Sequence, residues 1–228
     1  MTLKGETPSE LILKTSNILG QGGSGKVYKV DVSNKKYAAK IFHTSSIKIQ
    51  NKIKAMTDMW LQTNASERAY FDKLTWPISP INQNGKIKGF LMPYIEPKEH
   101  LNINVFYEIV LKKKIRNKNI LALTNLFEII KNLSKLINFL HKKNIYIVDL
   151  KPQNIQISVK DLSITLLDCD GFSIKTISGQ SFPADMYSMD YIAPEAIRDK
   201  IKPMSLGEPQ DRYAMAVLFF QLLNGGIH

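Results

Sequence analysis

Asp149-Leu150-Lys151-Pro152-Gln153-Asn154 decides the fold of this 228-residue chain. An acid and an amide five residues apart, with a proline between them, belong on a loop rather than inside a helix. By itself such a loop is an ordinary turn. Held rigidly, its two polar side chains offer different services. The carboxylate can accept or orient the proton of an incoming hydroxyl, and the amide oxygen can ligate Mg²⁺. The surroundings suit a rigid loop. Upstream, apolar residues at 123, 126, 129, 130, 133, 136, 137 and 140 give a helical stripe over Leu121 to Lys143, which Asn144 can end. Downstream, Ile155 to Val159 and Ile164 to Leu167 read as two short strands.

The second of those runs leads into Asp168-Cys169-Asp170-Gly171-Phe172. A carboxylate that closes an apolar strand can hold a cation bridging phosphate oxygens. Asp168 directly follows the strand and is preferred, with Asp170 as the alternative. A long loop is expected over 170–192, and a final apolar helix is expected to begin near Asp211.

Moving toward the amino terminus, Tyr37-Ala38-Ala39-Lys40-Ile41 is an apolar strand holding one lysine. Such a lysine commonly faces solvent. This one falls 15 residues after Gly25, the last glycine of Gly20-Gln21-Gly22-Gly23-Ser24-Gly25-Lys26-Val27. Glycines let backbone pass close to phosphates because no Cβ blocks the approach. Val27-Tyr28-Lys29-Val30 reads as a strand, whereas a dinucleotide-binding glycine loop must open a helix. A P-loop is also excluded, since Lys26 is not followed by Ser or Thr in the required frame.

Residues 11–42 therefore read as a β-meander turning at Ser33-Asn34. Residues 46–62 read as one amphipathic helix, and Pro77 and Pro80 as breaks. Asn82-Gln83-Asn84-Gly85 reads as a hairpin turn into Ile87 to Tyr94. The expected organisation is α+β in two lobes sharing a cleft. Residues 1–95 form a small antiparallel β lobe with one helix, and residues 96–228 form a mostly helical lobe.

Bulk properties narrow the partners. The single cysteine, Cys169, rules out an intrachain disulfide. Met1 to Glu10 carries no apolar signal core, and Tyr213 to Leu223 is about half of the ~20 residues needed to span a bilayer. A cytoplasmic location with no membrane partner is expected. The net charge of +11 comes from scattered lysines and one dense run from Lys112 to Lys118. No zinc-finger spacing or base–aromatic interleaving accompanies it, so a solvated basic surface is favoured over nucleic-acid binding.

Glycine loop, strand lysine, Asp-x-x-x-x-Asn and strand-end Asp occur here in the order of the protein-kinase signature set. On these residues the chain resembles the eukaryotic-like Ser/Thr protein kinase family from about Leu11 to the end. Tyr191-Ile192-Ala193-Pro194-Glu195 resembles its A-P-E segment, and Asp211-Arg212-Tyr213-Ala214 the start of its long central helix. Gly22-Gly23, Ala39-Lys40-Ile41-Phe42-His43, Trp76-Pro77-Ile78, Gly89-Phe90-Leu91-Met92-Pro93 and the Asp-x-Asp are similar to bacterial YegI-like and tellurite-resistance-associated kinases.

The resemblance implies an ATP-binding lobe and a catalytic lobe, with ATP, Mg²⁺ and a protein substrate as ligands. Leu19, Gly20, Gly22, Gly25, Val27, Ala38, Met92 and Tyr94 would contact the nucleotide, with Met92 as gatekeeper. Lys40 would hold the α/β-phosphates. Asp149 would be the catalytic base, with Lys151 near the γ-phosphate. Asn154 and Asp168 would hold the metal. Lys151 after Asp149-Leu150 is similar to Ser/Thr rather than Tyr kinases.

Several positions depart from that pattern. Ile147-Val148 stands where the family has His-Arg before the base. A phosphate on the activation loop would lack its usual anchor, which implies little dependence on phosphorylation at Ser173, Thr176, Ser178, Ser181, Tyr187 or Ser188. The acid that pairs with Lys40 is either Asp58 or Glu67. Gln156 would lie beneath the adenine, and Cys169 replaces the Phe of Asp-Phe-Gly. Compared with the family, the large lobe is expected to be truncated after the Asp211 helix, either because the chain is a fragment of a longer protein or because it is a minimal kinase stabilised by a partner. That would deprive Glu195 of an arginine partner, at a cost if Glu195 is buried, and a partner protein could cover the exposed helix. The leading function is thus an ATP- and Mg²⁺-dependent Ser/Thr kinase. A nucleotide-binding pseudokinase scaffold and a small-molecule kinase are the alternatives.

Overall fold

A computed structural model describes residues 13–106 and 122–226. The Lys112 to Lys118 run lies outside them. The chain divides into two compact units, one through Ile95 and one from Glu96.

The first unit is a five-stranded antiparallel sheet with two helices. Its strands are β1 (Ile18–Gln21), β2 (Gly25–Val32), β3 (Lys35–Phe42), β4 (Ser79–Gln83) and β5 (Lys86–Pro93), in the order β1-β2-β3-β5-β4. Ser33 and Asn34 turn β2 into β3 at positive φ, as do Asn84 and Gly85 between β4 and β5. Both pairs have the backbone hand that matches strand twist. Pro80 does not break the chain. It sits in β4 opposite Phe90, on an edge strand where a missing N–H costs no ladder bond.

Helix α1 (Ile47–Leu61) is capped by Ser46, whose hydroxyl accepts the Ile49 N–H at 3.3 Å. It buries Ile53, Met56 and Trp60. A second helix, α2 (Ala65–Phe71), was not expected. Only Phe71 of its seven residues is buried, so it has no apolar stripe to read. What marks it is a capping box: Asn64 Oδ1 accepts the Glu67 N–H, and Glu67 Oε2 accepts the Asn64 N–H. The core closes around Trp76, whose indole N–H donates to the Met56 carbonyl at 2.9 Å. Its ring meets Phe71 edge-on at 5.1 Å.

The second unit contains β6 (His100–Asn102), α3 (Leu123–Lys142), β7 (Ile145–Tyr146), β8 (Ile155–Ser158), β9 (Ile164–Leu166), β10 (Ser173–Lys175), β11 (Ser181–Phe182), α4 (Pro194–Arg198), α5 (Pro203–Leu206) and α6 (Glu208–Leu223). Two three-stranded sheets, β6-β8-β9 and β11-β10-β7, flank the helices. The α3 stripe of Ile129, Leu133, Leu136, Ile137 and Leu140 is buried, and α3 packs on α6, where Ala214, Leu218 and Leu222 are buried.

Two expectations change here. The 170–192 segment is not a bare loop, because β10 and β11 pair within it and β10 pairs with β7. Runs of two or three residues are too short to show alternation. Helix α6 begins at Glu208, ahead of Asp211, because Pro209 in its first turn needs no N–H donor there.

Candidate active site

In the first unit, the register lines up several of the residues expected to contact a nucleotide. Gly20 lies opposite Val27, Val27 opposite Lys40, and Lys40 opposite Phe90. One row along, Lys29 lies opposite Ala38 and Ala38 opposite Met92. Residues two apart on a strand share a face, so Val27, Ala38, Lys40 and Met92 all project from one side of the sheet. Leu19 sits at the irregularity between Ile18 and Gly20 and is exposed. Tyr94 lies just past β5, and the Lys29 ammonium stands 5.1 Å from its ring centroid.

The glycines divide by role. A Cβ on Gly20 or Gly22 would meet nothing within 4 Å, so these two leave open space above the turn. A Cβ on Gly25 would fall 2.2 Å from the Ile41 carbonyl oxygen, and one on Gly89 would fall 2.1 Å from that of Lys40. Gly25 and Gly89 thus let neighbouring strands close tightly beside Lys40. The turn is held by the Gly22 N–H to the Gly25 carbonyl at 3.0 Å, and by His43, whose Nε2–H donates to the Gly22 carbonyl at 3.1 Å.

Lys40 is 5% exposed. A buried ammonium demands hydrogen bonds and an opposite charge. Of the two acids named for it, Asp58 lies on the exposed side of α1. Glu67 is half-buried and uses Oε2 to cap α2.

In the second unit, Lys151 Nζ donates to Asp149 Oδ2 at 2.6 Å, and the Ser188 hydroxyl donates to Asp149 Oδ1 at 2.6 Å. Lys151 Nζ also donates to Ser188 Oγ at 3.0 Å, closing a triangle of carboxylate, ammonium and hydroxyl. Asn154 is buried, and its Nδ2 donates to the Asp149 carbonyl at 3.2 Å, which reserves Oδ1 as an acceptor. The Asn154 carbonyl accepts the Leu167 N–H at 2.9 Å, tying the loop to the residue before Asp168. Asp168 is exposed and left-handed, at φ 52°, while Asp170 is half-buried in the short 3-10 turn that follows.

Asn154 and Asp168 offer only hard oxygen donors, which suit Mg²⁺ when phosphate oxygens and water complete the shell. Among the described residues, no cluster of three or more His, Cys, Asp or Glu offers a protein-only metal cage.

The loop that leads into Asp149 is held in an unusual conformation. Val148 has φ 64°, and the Asp149 N–H closes on the Ile147 carbonyl at 2.7 Å. A β-branched residue there is strained. Asp211, fully buried at the start of α6, compensates. Its Oδ2 accepts the Ile147 N–H at 2.8 Å and its Oδ1 accepts the Val148 N–H at 2.7 Å. His141 Nε2–H adds a third bond to Oδ2 at 2.9 Å.

Two pKa values move nearby. Burial pushes the Tyr191 phenol up, partly offset by its hydrogen bond with Gln221. The hydrogen bond from Arg212 draws the Glu208 carboxyl down.

Glu195 is exposed, so it carries no burial cost that an arginine would have to offset. Gln156 is half-buried on β8, between Asn102 and Thr165. The sequence alone does not mark Ser188, His141 or Gln210 as site residues. Ser188 stood only among the hydroxyls of the activation loop. The available signal for the others was a polar side chain at the end of one apolar helix and the start of another.

The first unit thus holds a strand-turn-strand glycine loop and a buried strand lysine, and the second holds an Asp-Lys-Asn loop braced by a buried Asp. The protein kinase domain model matches residues 13–227, and the chain belongs to that family. It is 26% identical over 216 residues to MAP kinase-activated protein kinase 2 of Homo sapiens, covering 92% of this chain and 48% of that protein. It is 38% identical over 89 residues to Developmentally-regulated protein kinase 1 of Dictyostelium discoideum, covering 39% of this chain and 12% of that protein. It is 31% identical over 100 residues to Death-associated protein kinase related of Drosophila melanogaster, covering 40% and 13%. The chain thus spans about half or less of the length of these relatives. Among the described residues, no helix is long and apolar enough to cross a membrane.

Proposed function

We propose that the chain is an ATP- and Mg²⁺-dependent protein kinase that transfers the γ-phosphate to serine or threonine hydroxyls. The observation that carries this reading is the triangle of Asp149, Lys151 and Ser188. A serine hydroxyl already rests on the Asp149 carboxylate with an ammonium beside it, which is the environment an acceptor hydroxyl needs.

In this reading the acceptor oxygen attacks the γ-phosphorus, the bond to the β,γ-bridging oxygen breaks, and the proton passes to Asp149. Lys151 neutralises charge growing on the γ-phosphoryl oxygens. Lys40 holds the α/β-phosphates, and the open backbone at Gly20 and Gly22 lies over them. Leu19, Val27 and Ala38 roof the adenine, with Met92 and Tyr94 at its edge. Mg²⁺, when bound, would supply further charge neutralisation, and Asn154 and Asp168 would hold it. The bond between Asn154 and the residue before Asp168 favours Asp168 over Asp170. Positioning and electrostatics supply most of the rate.

The glycine-loop and Asp-x-Asp details also favour kinship with the bacterial YegI-like and tellurite-resistance-associated groups. The experiment is phosphate transfer from labelled ATP with Mg²⁺ to Ser/Thr peptide pools, alongside Asp149→Ala and Asp168→Ala. Loss of transfer in both variants is expected. Transfer that survives both refutes the assignment, and ATP binding without transfer by the unmodified chain indicates a nucleotide-binding scaffold.

A further inference from the structure

Val148 is the strained residue of the catalytic loop, and both halves of its backbone are gripped by consecutive residues of α6. Its N–H goes to Asp211. Its carbonyl accepts from Gln210 Nε2 at 3.4 Å. Gln210 is fully buried in the first turn of α6, and its amide reaches further. Nε2 donates to the Tyr191 carbonyl at 2.7 Å, and Oε1 accepts the Ala193 N–H at 3.0 Å. Both amide hydrogens and the amide oxygen are therefore used. One side chain joins the catalytic loop to the end of the segment that precedes α4.

At its other end that same segment rests on the catalytic residues themselves, through Ser188 on Asp149 and Lys151. The stretch from Ser188 to Ala193 is thus anchored at both ends on one rigid frame. The Tyr191 hydroxyl adds a bond to Gln221, about three turns further along α6 from Gln210, at 3.3 Å. None of these anchors requires a phosphate. Position 148 carries valine, which can receive none.

We propose that Gln210 is a positioning residue that locks the substrate-facing segment 188–193 to the catalytic loop, so that the segment is set without phosphorylation. The proposal rests on the kinase reading above for its effect on turnover. Its structural half, the lock itself, stands apart from turnover and can be measured separately.

Gln210→Glu makes the discriminating test, because glutamate has the same shape and keeps the acceptor for Ala193. As a carboxylate it turns a second oxygen toward the Tyr191 and Val148 carbonyls, and only its protonated form restores a donor. Hydrogen exchange at 188–193 and peptide phosphorylation are followed from pH 6 to pH 8, without and with prior phosphatase treatment. The other titratable groups around this position are Asp211 and Glu208 on α6, His141 on α3, and Asp190 and Tyr191 on the segment. All of these are present in the unmodified chain, which serves as the control over the same range.

In Gln210→Glu, exchange at 188–193 rises roughly tenfold or more at pH 8 and returns toward the control at pH 6, as expected for the loss and recovery of a buried hydrogen bond. Peptide KM follows the same course while ATP KM does not, and phosphatase changes neither protein. If Gln210→Glu does not fold, Gln210→Met carries the test. It removes every polar atom of the amide and raises exchange at all pH values. Exchange at 188–193 that matches the control in the substituted protein overturns the proposal, as does a large loss of activity on dephosphorylation. Absence of transfer by the unmodified chain overturns the kinase reading instead, and the exchange data then decide the lock alone.

Discussion

Replacing Asp211 by asparagine preserves size and shape while removing one acceptor and the charge. In the native protein two carboxylate oxygens receive three N–H groups, from Ile147, Val148 and His141. An asparagine oxygen in the Oδ1 position keeps the Val148 bond. Its amino group then faces the Ile147 N–H, which is left without an acceptor, while His141 switches tautomer to accept. An orphaned buried N–H costs about 1–3 kcal/mol, and turning charge-assisted bonds into neutral ones costs about 1 kcal/mol each. Relief from burying a charge in a fully buried position offsets part of this. A net loss of about 2–4 kcal/mol follows, a large share of the ~5–15 kcal/mol that holds a domain folded.

The probe matters for this measurement. Both tryptophans, Trp60 and Trp76, belong to the first unit, so their fluorescence does not report on α6. Urea unfolding followed by far-UV circular dichroism sees α3 and α6 and is expected to shift to lower denaturant. Phosphate transfer is expected to fall further than stability alone explains at a temperature where the variant is folded, because Val148 then relaxes from φ 64°. A dichroism midpoint equivalent to the native one within about 0.5 kcal/mol, with undiminished transfer, would refute the idea that Asp211 pins the strained loop.

Gly25→Ala places a methyl 2.2 Å from the Ile41 carbonyl and forces β2 from β3, so a loss of about 1–3 kcal/mol and weaker ATP binding are expected by thermal shift and nucleotide titration. Gly22→Ala has open space and should leave stability within about 0.5 kcal/mol of native. Ser188→Ala removes the hydroxyl between Asp149 and Lys151, and kcat should drop roughly tenfold with Ser188→Thr restoring most of it. The Glu208 carboxyl is lowered chiefly by its hydrogen bond with Arg212, so its folded value lies below its unfolded one. Its contribution to stability is complete above the unfolded value and is lost as pH falls through the folded value. A Glu208→Gln variant should therefore show a flatter decline on acidification, in urea titrations carried out below pH 5.

Much of this was legible because the chemistry demands specific residue types at fixed offsets. Lys40 and Asp168 stand out as polar residues within or just after an apolar strand, Asp149 and Asn154 as candidates by their spacing across a proline loop, and the α3 stripe is long enough to read by periodicity. Short elements were not legible. Helix α2 buries a single side chain, and β10 and β11 exist through pairing with β7 and with each other rather than through any pattern of their own. The brace was invisible for a different reason. Ser188, Gln210 and His141 are ordinary polar residues whose meaning comes from partners 17 to 70 positions away in the chain, and no local signal encodes such distances.

The departure at Ile147-Val148 links these observations. An arginine before the base can be recruited by a phosphate, and a valine cannot. Yet the backbone at that position is still forced to φ 64°, a conformation valine resists. Strain of this kind persists only where surrounding bonds over-determine it. Here they do: Asp211 takes the N–H on each side of the Ile147–Val148 peptide junction, and Gln210 takes the Val148 carbonyl. A valine side chain offers nothing to a phosphate, while the backbone beside Asp149 is held in one fixed shape. A loop built this way is set by the start of α6, and changes at Gln210 and Asp211 should govern it more strongly than changes at any hydroxyl between 173 and 187.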